Sequence, residues 1–137
     1  MTVNPYTYLR GMKLLVCSLL LLSGCVAQQI RLSETLRPPE TTSQSFVLLE
    51  PASLSAFGSR RQVLREGTTW LAVGELDRGT VFKSKNQVVT VNSYNVYEAG
   101  ILVREMQVVG YYIPSTESIV EIDPVALKSS ELRENTE

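Results

Sequence analysis

The chain has 137 residues, 44% of them hydrophobic, a formal charge of −1 and no histidine. That length supports one domain at most beyond any processed segment, and the missing imidazole removes the commonest general base and metal ligand, and with them Ser-His-Asp and Cys-His catalysis. Residues 25–137 hold eleven basic and fourteen acidic residues, a balance of −3, which argues against nucleic acid as a partner because phosphate binding needs concentrated positive charge.

The first element is an apolar run. Residues 14–22 read LLVCSLLLL behind Lys13. Nine residues, all apolar but Ser18, are too few for a membrane-spanning helix, which needs about 20. They match the apolar centre of an export signal, with basic residues ahead and small residues behind. A buried core helix is the competing reading, but no polar face accompanies the run. The run ends in Leu22-Ser23-Gly24-Cys25, which resembles the lipobox of bacterial lipoproteins. The resemblance implies cleavage between Gly24 and Cys25, a diacylglyceryl group on the Cys25 sulfur and an acylated new amino terminus. Cys17 fails as the attachment point because the bulky Val16 precedes it. Cys25 as a structural thiol would lack a second retained cysteine. Each buried methylene of a lipid chain contributes about 0.8 kcal/mol, so two or three chains hold a protein to a bilayer almost permanently. Val26 stands where an aspartate favours inner-membrane retention in the enterobacterial members of that family, so the resemblance implies the periplasmic face of the outer membrane. Met12-Lys13 begins a compact signal of its own, leaving Met1 and Met12 as alternative starts.

Residues 25–45 follow as a flexible tether. They are rich in Gln, Ser, Thr, Glu and Pro, and Pro38-Pro39 disfavours both helix and central strand. A short helix over IRLSETLR competes with this reading on thin apolar spacing. Residues 46–124 form the folded body. Short runs of Val, Ile, Thr, Tyr and Phe alternate with Gly, Asn, Ser and Pro, the chemistry of strands and turns. Strands are expected near 46–50, 69–76, 80–84, 87–92, 96–103, 107–113 and 118–122, with 53–65 ambiguous. The sequence Leu76-Asp77-Arg78-Gly79-Thr80 suggests a three-residue hairpin loop ending in a left-handed glycine, pairing Gly74 with Phe82. A second hairpin turns at Glu105-Met106 and pairs Val103 with Val108 and Gly100 with Tyr111. Its strands are apolar on both faces, which calls for cover on both sides or exposure to a partner. Tyr111 is the better core candidate and Tyr112 the surface one, since neighbours in a strand point to opposite faces. The fold class is therefore all-β, a small antiparallel barrel or sandwich of six or seven strands, with an SH3-like barrel as one version. The tail, 125–137, is a short helix or a frayed end.

Little in the body reads as chemistry. No glycine-rich phosphate loop occurs. Glu117, Glu121 and Asp123 are the only acids spaced for a hard cation, and strand-edge acids are usually solvated. Glu75, Glu98 and Glu105 are the carboxylates a glycosidase would use, with nothing to bring two together. Arg60, Arg61 and Arg65 form the one basic cluster, a weak electrostatic signal. Trp70 is the sole tryptophan, a core residue or an interface anchor. The candidate partner surface is thus Tyr112, Trp70, Arg60 and Arg61. No metal, no cofactor beyond the lipid on Cys25, and no small-molecule substrate are expected. The expected partners are the membrane, through the lipid, and another envelope protein. The sequence points to a non-catalytic binding module. A small envelope inhibitor or exclusion factor is the alternative, and a carboxylate-based cell-wall hydrolase the third.

Overall fold

In the computed structural model, residues 31–39, 44–54, 61–92 and 95–134 are described. Eleven strands make up almost all of their regular structure: β1 Arg31–Ser33, β2 Gln44–Val47, β3 Ala52–Leu54, β4 Gln62–Leu64, β5 Thr69–Leu76, β6 Gly79–Ser84, β7 Val89–Asn92, β8 Val96–Arg104, β9 Gln107–Ile113, β10 Ser118–Ala126 and β11 Arg133–Glu134. Every pairing is antiparallel. The main sheet runs β1-β10-β9-β8-β6-β5-β2-β11, with β7 also on β8, and β3 pairs with β4 separately. The class is all-β, as the short β-branched and aromatic runs imply. The sheet has nine strands, more than the six or seven expected, because both flanking segments join it.

The central strands bury both faces. One face carries Phe46, Trp70, Phe82, Ile101, Tyr111 and Val120, among others, with Leu54 and Leu64 of the separate β3–β4 pair in the same cluster. The other carries Leu76, Val81, Leu102, Tyr112 and Ile119, with Leu32 and Leu36 packed over them. Each fully buried aliphatic side chain contributes about 1.5–3 kcal/mol over exposure, so the second layer is a real part of the fold. It explains the doubly apolar β8–β9 hairpin.

The cover of that second layer corrects the expected tether. Within 25–45, residues 31–37 are bonded into the body. β1 pairs with β10, and Arg37 bridges Glu75 of β5 through two backbone hydrogen bonds of 3.0 and 2.8 Å. This strap therefore links two strands that the sheet separates by β9, β8 and β6. Gly74 makes the crossing feasible. A Cβ there would lie 2.6 Å from the Arg37 carbonyl oxygen and 2.7 Å from Leu36 Cδ1. The expected tail, 125–137, needs the same correction. Ala126 ends β10, Leu127 is buried, Ser129 bridges Leu48, and β11 pairs with β2. The backbone groups of both segments find partners in the sheet, which outweighs their polar composition.

A shorter turn corrects one hairpin register and a bulge the other. The β5–β6 turn has two residues, Asp77 and Arg78, so Leu76 pairs with Gly79 and Gly74 faces Val81, not Phe82, while Val73 bulges farther from the turn. At the other hairpin, Val103 pairs with Val108 as expected, but Val109 bulges, and Gly100 faces Tyr112 instead of Tyr111. A bulge inserts one residue and shifts every later pair by one position. The turn itself is a two-residue one with positive φ at both Glu105 (51°) and Met106 (56°), the twist a tight hairpin needs but without the usual Asn-Gly.

The ambiguous stretch 53–65 contributes β3 and β4, with Ala52 opposite Leu64 and Leu54 opposite Gln62. The outer edge of β4 is occupied by a side chain. The amide of Gln87 donates to the Val63 carbonyl (2.8 Å) and accepts from the Arg65 N–H (2.9 Å), much as a neighbouring strand would.

Candidate functional site

The six sequence-derived site residues do not form one site. Gly24, Cys25 and Arg60 lie outside the described residues. Arg61 is exposed just before β4. Trp70 and Tyr112 are corrected: at 0% and 2% exposure neither offers a surface to a partner. Trp70 lies on the main core face, and its indole N–H donates to Thr68 Oγ1 at 2.8 Å. The Thr68 hydroxyl in turn donates to the Arg65 carbonyl at 2.6 Å. Burying an indole needs such a partner. Tyr112 is covered because the strap lies over its face.

The acids considered from sequence are scattered. Glu121 pairs with Arg78, whereas Glu117 sits in the turn after the short 3-10 segment Pro114–Thr116. No group of three or more His, Cys, Asp or Glu among the described residues is placed to hold a metal ion. Glu98 pairs with Lys83 at 3.2 Å. It is separated from Glu105 by roughly 23 Å at the usual rise per strand residue, beyond the ~9.5 Å limit for paired glycosidase carboxylates.

Two surface depressions stand out among the described residues. The first, about 250 Å³, has an apolar floor of Leu102, Val109 and Ile122 and a rim of Arg78, Arg104 and Glu121. It opens where the β5–β6 turn, the end of β8 and an irregular stretch of β10 meet. In that stretch Glu121 pairs with Gly110 and Val125 with Val108, so residues 122–124 stand opposite Val109 alone. Pro124 has no N–H to donate, which suits this break in the ladder. Arg104 is exposed and has no ion-pair partner among the described residues. The second depression, about 500 Å³ and more open, lies between the Glu105-Met106 turn and the C-terminal segment. Leu49 and Leu132 line it at 54% and 45% exposure, with Leu127 at its base and the Lys128–Glu50 ion pair (3.2 Å) beside it. Sequence reasoning missed both. Each is assembled from strands distant along the chain, and the only local signal was the pairing of apolar residues with arginine around 102–104.

Among buried ionisable groups, Tyr111 stands out. Burial pushes its phenol up to about 12, because the charged form is the one that desolvation penalises. None of the described residues gives its hydroxyl a hydrogen bond.

These features define an all-β antiparallel domain with two apolar layers and shallow, mostly apolar depressions on its surface. No family model matches the chain, and no curated protein or solved structure matches it either. Among the described residues no helix is long and apolar enough to cross a membrane.

Proposed function

We propose that this protein is a lipid-anchored envelope lipoprotein, held at the periplasmic face of the outer membrane, whose β-domain binds another envelope protein without catalysing a reaction. The observation that carries the anchoring is Leu22-Ser23-Gly24-Cys25 behind an apolar run and a basic residue. Such a signal ends in acylation of the cysteine, and the acyl chains fix the protein to one leaflet. The binding role rests on the open depression between Leu49 and Leu132, whose exposed apolar side chains suit a protein surface. The alternative, an inhibitor or exclusion factor, uses the same surface and differs only in what the partner ceases to do.

The test is mass spectrometry of the native protein together with membrane fractionation. The expected product begins at an acylated Cys25 and fractionates with the outer membrane, and Cys25→Ala leaves an unprocessed, unacylated chain. A native product with a free Cys25 thiol and residues 1–24 attached refutes the anchoring. A pull-down from solubilised membranes with Leu49→Glu and Leu132→Glu as controls tests the binding role. A partner lost in both variants is expected, and one captured equally well by both variants refutes this surface.

A further inference from the structure

We propose that the end of the sheet bearing Arg78, Arg104 and the 122–124 bulge lies against the phospholipid surface, a proposal that rests on acylation of Cys25. The direction of β1 carries it. Arg31 pairs with Val120, Leu32 with Ile119 and Ser33 with Ser118. An antiparallel strand in that register comes to Arg31 from the side of Glu121 and the bulge. The β8–β9 turn is at this same end, since Ala126 pairs with Gln107. So is the β5–β6 turn, whose Arg78 pairs with Glu121.

Chain length then limits the choice of orientation. Cys25 and Arg31 are joined by six peptide units, which reach about 20 Å when fully extended. Arg31 is level with Val120, Tyr111 and Ile101. Val96 at the opposite end of β8 is five residues beyond Ile101, roughly 17 Å along the strand. To bring that end to the lipid the chain would have to reverse before reaching Arg31. A reversal takes a turn of about four residues, and the remainder is too short to cover the distance.

The chemistry of the near end agrees. The 250 Å³ depression presents Leu102, Val109 and Ile122 beneath two arginines, and guanidinium groups bind phosphate while their stems cover apolar surface. Arg104 has no ion-pair partner among the described residues. Glu105 and Asp123 are exposed at the same end, so contact depends on the short link and the depression rather than on net attraction to anionic lipid.

The experiment uses the processed, full-length protein in vesicles of phosphatidylethanolamine and phosphatidylglycerol containing a headgroup-attached quencher. A fluorophore is placed at Glu105→Cys or Asp123→Cys for the near end and at Val96→Cys or Glu117→Cys for the far end. Native folding of each is checked by Trp70 emission. The near-end labels are expected to be quenched several-fold more than the far-end labels, and Arg104→Glu is expected to reduce that contrast. Equal quenching at the two ends, or stronger quenching at the far end, in protein that floats with the vesicles overturns the proposal and leaves the anchoring intact. Protein that fails to float refutes the anchoring and the proposal with it.

Discussion

Replacing Gly74 with alanine separates the strap from the body it crosses. The new Cβ would lie 2.6 Å from the Arg37 carbonyl oxygen and 2.7 Å from Leu36 Cδ1, well inside van der Waals contact. Leu36 can change rotamer, but the Arg37 carbonyl is backbone, bonded to the Glu75 N–H at 2.8 Å. The strap must therefore move away from β5. It loses two backbone hydrogen bonds worth about 1 kcal/mol each. It also loses the packing of half-buried Leu36 against the second layer, about another 1 kcal/mol from the apolar area returned to water. A cost of about 3 kcal/mol lowers the melting temperature by roughly 15 °C in a domain of this size. Urea and thermal unfolding followed through Trp70, fully buried and the sole tryptophan, measure it directly. Leu36→Ala provides the cross-check. Alone it is expected to cost about 1 kcal/mol, and in the Gly74→Ala background almost nothing, because the strap has already left. A Gly74→Ala loss under about 0.5 kcal/mol, or simple additivity of the two substitutions, refutes the role given to the strap.

Three further outcomes are expected. Between pH 10 and about 12, stability declines at about 1.4 kcal/mol per pH unit on account of Tyr111. Its folded phenol titrates above the unfolded one, so the contribution is complete below pH 10 and lost as the pH rises through 12. Urea unfolding at pH 8 and 11 is expected to show this component in the wild type and not in Tyr111→Phe, which is at least as stable at pH 8 because no buried hydroxyl needs a partner. Thr68→Val leaves the buried Trp70 indole N–H unpaired and is expected to cost about 1–3 kcal/mol, read as a lower urea midpoint. Glu105→Asn relieves a left-handed backbone position and is expected to raise stability by about 0.5–1 kcal/mol, read as a higher midpoint with an unchanged slope.

Most of the strands were legible because their signals are local. β-branched and aromatic runs bounded by Gly, Asn and Pro located β5 through β10 to within a few residues. Register was less legible. Val73 and Val109 look like any other strand valine, and only neighbouring strands decide which residue bulges. That one-residue shift also moved Tyr112 opposite Gly100, beneath cover that the sequence placed in a tether. The strap and the C-terminal segment were missed because they lack strand composition and are held by partners far away in the chain. Leu32 and Leu36 are their only apolar signature at the N-terminal end, too few to mark an element by periodicity. The surface depressions were illegible for the same reason, since Arg78, Arg104 and Glu121 meet only once three strands are in place. The Leu22-Ser23-Gly24-Cys25 stretch, by contrast, is contiguous, so the acylation proposed above rests on local sequence alone.

Both outermost strands of the main sheet come from the ends of the folded region, β1 beside β10 and β11 beside β2. Neither edge can be closed by local pairing, because β1 has to find β10 and β11 has to find β2 across most of the folded region. Pairings this distant in sequence are slow to form. The outer strands therefore dock after the β5–β6 and β8–β9 hairpins, whose partners are adjacent along the chain.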